Sequence, residues 1–215
     1  KGLVDEAQYR VGETYEDESN YTAAIAEYQK VLDLYPDSSS ADDAQYAIGR
    51  SYEQLGIDKE AVVPGSGAAD LTQARAEYQK VIDAYPTSGL GDDAQYGIGT
   101  AYYELCMYAE AIPALQVVLG DMRHSADADA QYRIARCYHQ LTQYAQARAE
   151  YQKVIDAYAT SSWVDNAQYR IATTYHEEHD CNAEVAAFDK LAAGFPGSSG
   201  VATGETHVAD IQGTR

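Results

Sequence analysis

Apolar residues recur three and four positions apart through most of this chain, and short polar clusters interrupt them at regular intervals. Ala7, Val11 and Tyr15 lie four apart, and after Glu18-Ser19-Asn20 a second stretch aligns Ala24, Ile25, Tyr28, Val31, Leu32 and Tyr35. That is the period of an amphipathic helix, and the second stripe is wide enough to pack on two neighbours. The polar cluster predicts a turn. Pro36 predicts a helix end, because proline lacks the amide hydrogen and its ring collides with the preceding turn. The pattern therefore describes two antiparallel helices.

The pair is copied along the chain. Ala-Gln-Tyr stands at 7–9, 44–46, 94–96, 130–132 and 167–169, at intervals of 37, 50, 36 and 37 residues. A period of this size marks a stacked array in which each repeat buries a face that its neighbour supplies. Five repeats follow, at 5–40, 41–90, 91–125, 126–162 and 163–200, with 201–215 a partial terminal helix in which His207 to Ile211 align with Ala47 to Ser51. Gly12 is matched by Gly49, Gly99, Ala135 and Ala172, small residues that let two helices approach closely. Tyr28 is matched by Tyr78, Leu115, Tyr151 and Phe188, and ARAEYQKVIDAY recurs unchanged at 74–85 and 147–158. The second copy carries 13 extra residues near 56–70, read as a surface loop between its helices. Arg123 and Ala159 stand where the first copy has Pro36, so those junctions are expected to be smoother.

The small residue, the tyrosine, the paired Ala-Ile, the aromatic and the proline resemble the pattern of tetratricopeptide repeats. The stretch from Tyr35 to Gly49, YPDSSSADDAQYAIG, is most similar to bacterial envelope repeats of the Tol–Pal coordination and outer-membrane assembly lipoprotein type. The resemblance covers Asp5 to Pro196 and implies an all-α, right-handed superhelical solenoid of antiparallel helix pairs. It specifies fold more than function, since repeats of this family serve many roles.

Charge narrows the function classes. A net charge of −19 argues against a nucleic-acid partner, which would call for clustered Lys and Arg, and against an anionic membrane surface. Basic partners or cations suit it better. No run of eighteen apolar residues is present, so no transmembrane segment is expected. A chain that starts at Lys1 is expected to be a processed product or a fragment, with any signal peptide upstream. The odd set Cys106, Cys137 and Cys181 reads as buried packing, with a Cys106–Cys137 bridge as the alternative in an oxidising compartment.

No phosphate loop, nucleophile elbow or isolated acid pair is present, so a non-catalytic protein without cofactors is expected. His176-Glu177-Glu178-His179-Asp180-Cys181 misses the HExxH spacing and reads as a polar helix end, and His139 with His176 makes a weak ligand pair, so no metal site is expected there. Asp5-Glu6, Asp42-Asp43, Asp92-Asp93, Asp127 with Asp129, and Asp165-Asn166 precede each first helix. They read as helix caps, or as an acidic edge for Ca2+ or a basic partner. Tyr9, Tyr46, Tyr96, Tyr132 and Tyr169 hold one position in every repeat, which the resemblance places in the concave groove. There they would either grip an extended peptide or pack repeat on repeat. The Lys-and-Asn clamp by which some family members hold a C-terminal carboxylate is absent at these positions, which disfavours chaperone tails.

Two further surfaces stand out. Hydroxyls fill every inter-repeat turn, at Ser38, Ser39, Ser40, Thr87, Ser88, Ser125, Thr160, Ser161, Ser162, Ser198 and Ser199, and Asn20-Tyr21-Thr22 is an N-glycan sequon. Turn chemistry accounts for them, and glycosylation is the alternative in an exported protein. Leu3 and Val4 resemble an internal junction, and Val208 and Ile211 lie on the partial helix, so these four are candidate subunit junctions. The favoured expectation is an exported structural protein that assembles head-to-tail into a cell-surface or extracellular filament. The alternative is a periplasmic adaptor that binds a peptide or protein in its tyrosine-lined groove.

Overall fold

The stripes fold as eleven helices among the described residues, which are 2–119 and 127–213 of the computed structural model. The chain divides into two units, residues 1–118 and 119–215.

In the first unit the helices are α1 (Gly2–Asp17), α2 (Tyr21–Leu34), α3 (Ala41–Val62), α4 (Ala68–Ala84), α5 (Gly91–Glu104) and α6 (Tyr108–Val118). In this unit α2 and α4 are each wedged between their own partner and the next odd-numbered helix, as the two-neighbour stripe requires. Ala24, Tyr28 and Val31 of α2 pack against Ala44, Ala47 and Ile48 of α3. Ala74, Tyr78 and Val81 of α4 pack against Ala94 and Ile98 of α5. Tyr28 and Tyr78 are fully buried. Glycine makes room for the second ring: a Cβ at Gly49 would stand 2.7 Å from Tyr78, and one at Gly97 would stand 2.4 Å from its other edge.

The 13 extra residues are not the loop that the sequence suggested. They lengthen α3 to Val62 and start α4 three residues early, leaving a short turn at 63–67. The two extended helices touch at Gly56 and Gly67, where a Cβ on Gly67 would stand 2.0 Å from the Gly56 carbonyl oxygen. The Glu60 carboxylate accepts the amides of Gly65 (2.7 Å) and Gly67 (3.3 Å), and Lys59 pairs with Asp70 at 2.6 Å.

The second unit holds α7 (Asp127–Gln140), α8 (Tyr144–Ala157), α9 (Val164–Glu177), α10 (Cys181–Gly194) and α11 (Ser199–Gly213). Tyr132, Tyr151, Ile171, Phe188 and Leu191 form its core, and Trp163 stacks on Tyr132 with ring centroids 4.7 Å apart. The expected terminal helix is present as α11, with Val208 packed partly against that core. Arg123 and Ser125 lie outside the described residues.

The turns repeat their chemistry. Ser19, Cys106, Thr142 and His179 each adopt a left-handed conformation, with φ between 57° and 60°, between the helices of a pair. The hydroxyls of Ser38, Ser88, Ser161 and Ser198 each accept the amide two residues on, at 3.1 to 3.3 Å, between pairs. At α3, α5 and α9 the cap positions are held by Ser40, Leu90 and Trp163, which make no side-chain cap bond, while the Asp165 carboxylate accepts the Asn166 amide at 2.8 Å. Asp42, Asp43, Asp92, Asp93 and Asp165 lie inside the first turn, where they oppose the helix dipole. All three thiols are free, so the Cys106–Cys137 bridge does not form. Only Cys137 is buried. Cys106, in the turn between α5 and α6, and Cys181, the first residue of α10, are exposed.

Candidate functional site

The glutamine of each Ala-Gln-Tyr ties the two helices of its repeat together. Gln8 donates to Glu27 at 2.6 Å, Gln45 to Glu77 at 2.7 Å and Gln131 to Glu150 at 2.6 Å. Each of those glutamates also pairs with a lysine one turn on, Lys30, Lys80 and Lys153. Where the glutamate is replaced by alanine, Gln95 and Gln168 donate to the Ala114 and Ala187 carbonyl oxygens. Sequence reasoning singled out the tyrosines and passed over these glutamines, although the copied EYQK run carried the signal.

In four of the repeats the tyrosine beside the glutamine leans on the aromatic residue of the partner helix. Ring centroids lie 5.2 Å apart for Tyr9–Tyr28, 5.4 Å for Tyr46–Tyr78, 5.5 Å for Tyr132–Tyr151 and 6.0 Å for Tyr169–Phe188. In their surroundings the five differ. Tyr132 is buried beneath Trp163, and Tyr169 abuts Phe188 and Gly200. Tyr9 is half-buried against Tyr28. Tyr46 and Tyr96, also half-buried, open onto a cleft of about 660 Å³ in the first unit.

That cleft runs across α1, α3 and α5. Glu13, Glu16, Asp17 and Glu53 face Arg10 and Arg50 along it, so four carboxylates against two guanidinia leave it two charges negative. Glu16 accepts bonds from the Tyr28 hydroxyl (2.8 Å), Arg50 (3.0 Å) and Ser51 (3.1 Å). Glu53, one repeat later, accepts from the Tyr78 hydroxyl (2.7 Å) and Thr100 (2.6 Å). These anchored carboxylates fix a negative floor. Glu13, bonded by Arg10 at 3.1 Å, lies nearer the rim. Burial, with nearby carboxylates including Asp93 and Glu53, pushes the Tyr46 phenol up to about 12, so its hydroxyl stays a donor at neutral pH.

The run from His176 to Cys181 spans the end of α9, the turn at 178–180 and the start of α10. Glu177 lies 3.0 Å from His139, Glu178 pairs with Arg148, and Asp180 caps α10 through the Ala183 amide at 3.1 Å. His139 and His176 each turn to a different glutamate and do not form a pair. Asn20 caps α2, its side-chain oxygen accepting the Ala23 amide at 3.3 Å. Ser39, Thr87, Thr160, Ser162 and Ser199 are exposed, whereas Ser38, Ser40, Ser88, Ser161 and Ser198 are half-buried. Leu3 and Val4 are exposed, while Val208 and Ile211 are half-buried. The acidic pairs do not converge: among the described residues, the one group of three metal-capable side chains is His176, Glu184 and His207. No helix among the described residues is long and apolar enough to cross a membrane.

A tetratricopeptide repeat model matches residues 6–38, 43–88 and 129–161, just over half of the chain, and a second such model matches 67–123. The chain belongs to the tetratricopeptide repeat family. These repeats are a protein-interaction fold, and solved structures agree on the architecture. YrrB, described as a repeat protein with an unusual peptide-binding site, is 20% identical over 93% of this chain and 90% of its own, with a TM-score of 0.63. A repeat protein of Parabacteroides merdae is 14% identical over 99% of this chain and 75% of its own, at 0.71. MamA of Desulfovibrio magneticus is 17% identical over 87% and 92%, at 0.67. No curated protein matches. These matches show the repeat family and do not single out the envelope-lipoprotein type expected from the Tyr35–Gly49 stretch.

Proposed function

We propose that this tetratricopeptide repeat protein binds an extended peptide segment carrying lysine or arginine in the cleft of its first unit. The observation behind this reading is the pairing of Tyr46 and Tyr96 with a carboxylate floor fixed by Tyr28, Tyr78, Ser51 and Thr100. Ring faces and hydroxyls grip a backbone with little loss of side-chain freedom, and fixed carboxylates select basic side chains. The peptide-binding site named for YrrB lends the reading support from a similar fold.

Peptide display against the whole chain, followed by fluorescence polarisation of the selected sequences, is the test. Basic residues should be enriched, and Glu13→Lys and Tyr96→Ala should each weaken binding on the order of tenfold, a loss of about 1.4 kcal/mol. Selected peptides without basic residues, or unchanged binding in both variants, would sink the reading.

A specific observation favours a second reading, self-assembly. Leu3, Val4 and Val11 are 84%, 57% and 43% exposed along one face of α1. The equivalents of Val4 and Val11 in α3, Ala41 and Ile48, are buried. A second copy laid on this face would build a head-to-tail filament, the form expected of an exported structural protein. Sedimentation that grows with concentration and is abolished by Val4→Glu supports it; concentration-independent sedimentation refutes it.

A further inference from the structure

In the second unit three side chains from three helices meet at one point. Glu184, in the first turn of α10, is 1% exposed and directs Oε1 between two imidazoles. His176 Nδ1, from the last turn of α9, lies 3.0 Å from that oxygen, and His207 Nδ1, from α11, lies 2.9 Å from it. The two rings are tilted at a centroid separation of 4.7 Å, and Phe188 packs edge-on against His207 at 5.6 Å. Burying a carboxylate is costly unless something compensates its charge. Two imidazoles from different helices converging on one oxygen make a set of donors that can share one cation.

We propose that His176, Glu184 and His207 form a binding site for a zinc-type divalent cation that fastens α11 to the α9–α10 pair. Two imidazole nitrogens and one carboxylate oxygen suit zinc and its neighbours, whereas calcium and magnesium call for a shell of oxygens. Ligand atoms about 2.0–2.1 Å from a tetrahedral ion stand about 3.3 Å from one another. The two histidine–glutamate separations are within about half an ångström of that value, and all three ligand atoms already lie within 4.8 Å of one another. Closing the imidazole pair from within 4.8 Å calls for side-chain rotation that moves the nitrogens together by up to about 1.5 Å. The exposed side chain of His176 gives an ion its way in, and three protein ligands leave a fourth position for water.

The proposal does not depend on the peptide cleft, which lies in the other unit. The test titrates metal-stripped protein with zinc by calorimetry, with cobalt as a spectroscopic substitute. One ion per chain should bind, cobalt should give the visible bands of a four-coordinate nitrogen–oxygen site, and zinc should slow amide exchange over 199–213. Glu184→Gln and His207→Gln should each weaken zinc by at least about tenfold, while His139→Gln leaves it unchanged. Glu184 is buried and its variant is open to misfolding, so the partly exposed His207 variant, checked by circular dichroism, carries the test independently. Zinc binding that ignores both changes, or no saturable binding below about 0.1 mM, overturns the site. Exchange over α11 that follows pH and is blind to zinc would assign the trio to protons and overturn it equally.

Discussion

A single methyl group at Gly97 tests how tightly the first unit is packed. The Tyr78 ring is fully buried between two glycines: the Gly49 side meets Cδ1 and Cε1, and the Gly97 side meets Cε2, Cζ and Cδ2. A Cβ at Gly97 would lie 2.4, 2.6 and 2.7 Å from those three atoms, about an ångström inside normal carbon contact. The ring cannot retreat, because Gly49 bounds its other edge and the hydroxyl is held by Glu53 at 2.7 Å. In an open helix, Gly→Ala stabilises by about 1 kcal/mol. Overpacking a filled core costs about 1–3 kcal/mol, so Gly97→Ala should be a net loss of up to about 2 kcal/mol. Gly91→Ala, where nothing lies within 4 Å, is the control and should be neutral or stabilising. Urea unfolding followed by circular dichroism reads both. Gly97→Ala as stable as Gly91→Ala would show that the ring moves freely, and the argument from close packing would fail.

Two further outcomes follow from the geometry. Burial and nearby carboxylates raise the phenols of Tyr9 and Tyr46 to about 12 and push those of Tyr28 and Tyr78 higher still. A group whose folded pKa is raised contributes stability that is complete below its unfolded value, so thermal stability should hold up to about pH 10 and fall steeply between pH 10 and 12. Stability already declining from pH 8 to 9.5 would contradict that assignment. Thr142, β-branched, sits at φ 58° between α7 and α8, where glycine is comfortable. Thr142→Gly should stabilise the second unit by about 0.5–1 kcal/mol, measured as a shift in its urea midpoint, and a loss of stability would remove the strain argument.

The helix pairs were legible because their signals are local and repeated. Ala44, Ile48 and Tyr52 declare a face, and Pro36 declares an end. The cleft was legible in part: Tyr46 and Tyr96 were found through their recurrence, but Glu16 and Glu53 were not. Their role depends on Tyr28 and Tyr78 reaching across from the partner helix. The clasp between α3 and α4 was misread as a loop because Val63-Pro64-Gly65 signals a turn, while the lengthened helices on either side carry weak stripes. The His176–Glu184–His207 cluster was hidden for a geometric reason. Glu184 and His207 are separated by 23 residues and meet only when α11 docks, so no spacing rule along the chain announces them.

The unchanged copy ARAEYQKVIDAY in α4 and α8 means that the Gln–Glu–Lys latch of one pair is chemically the same as that of the other. An odd-numbered helix met during folding by the wrong copy would find the same anchors waiting. One feature that tells the two apart is the crossing at Gly56 and Gly67, with Glu60 and Lys59 closing over it between α3 and α4. The insertion thus gives one of two identical latches a contact set of its own, in a chain whose repetition is of the kind that invites exchange between neighbours or between molecules.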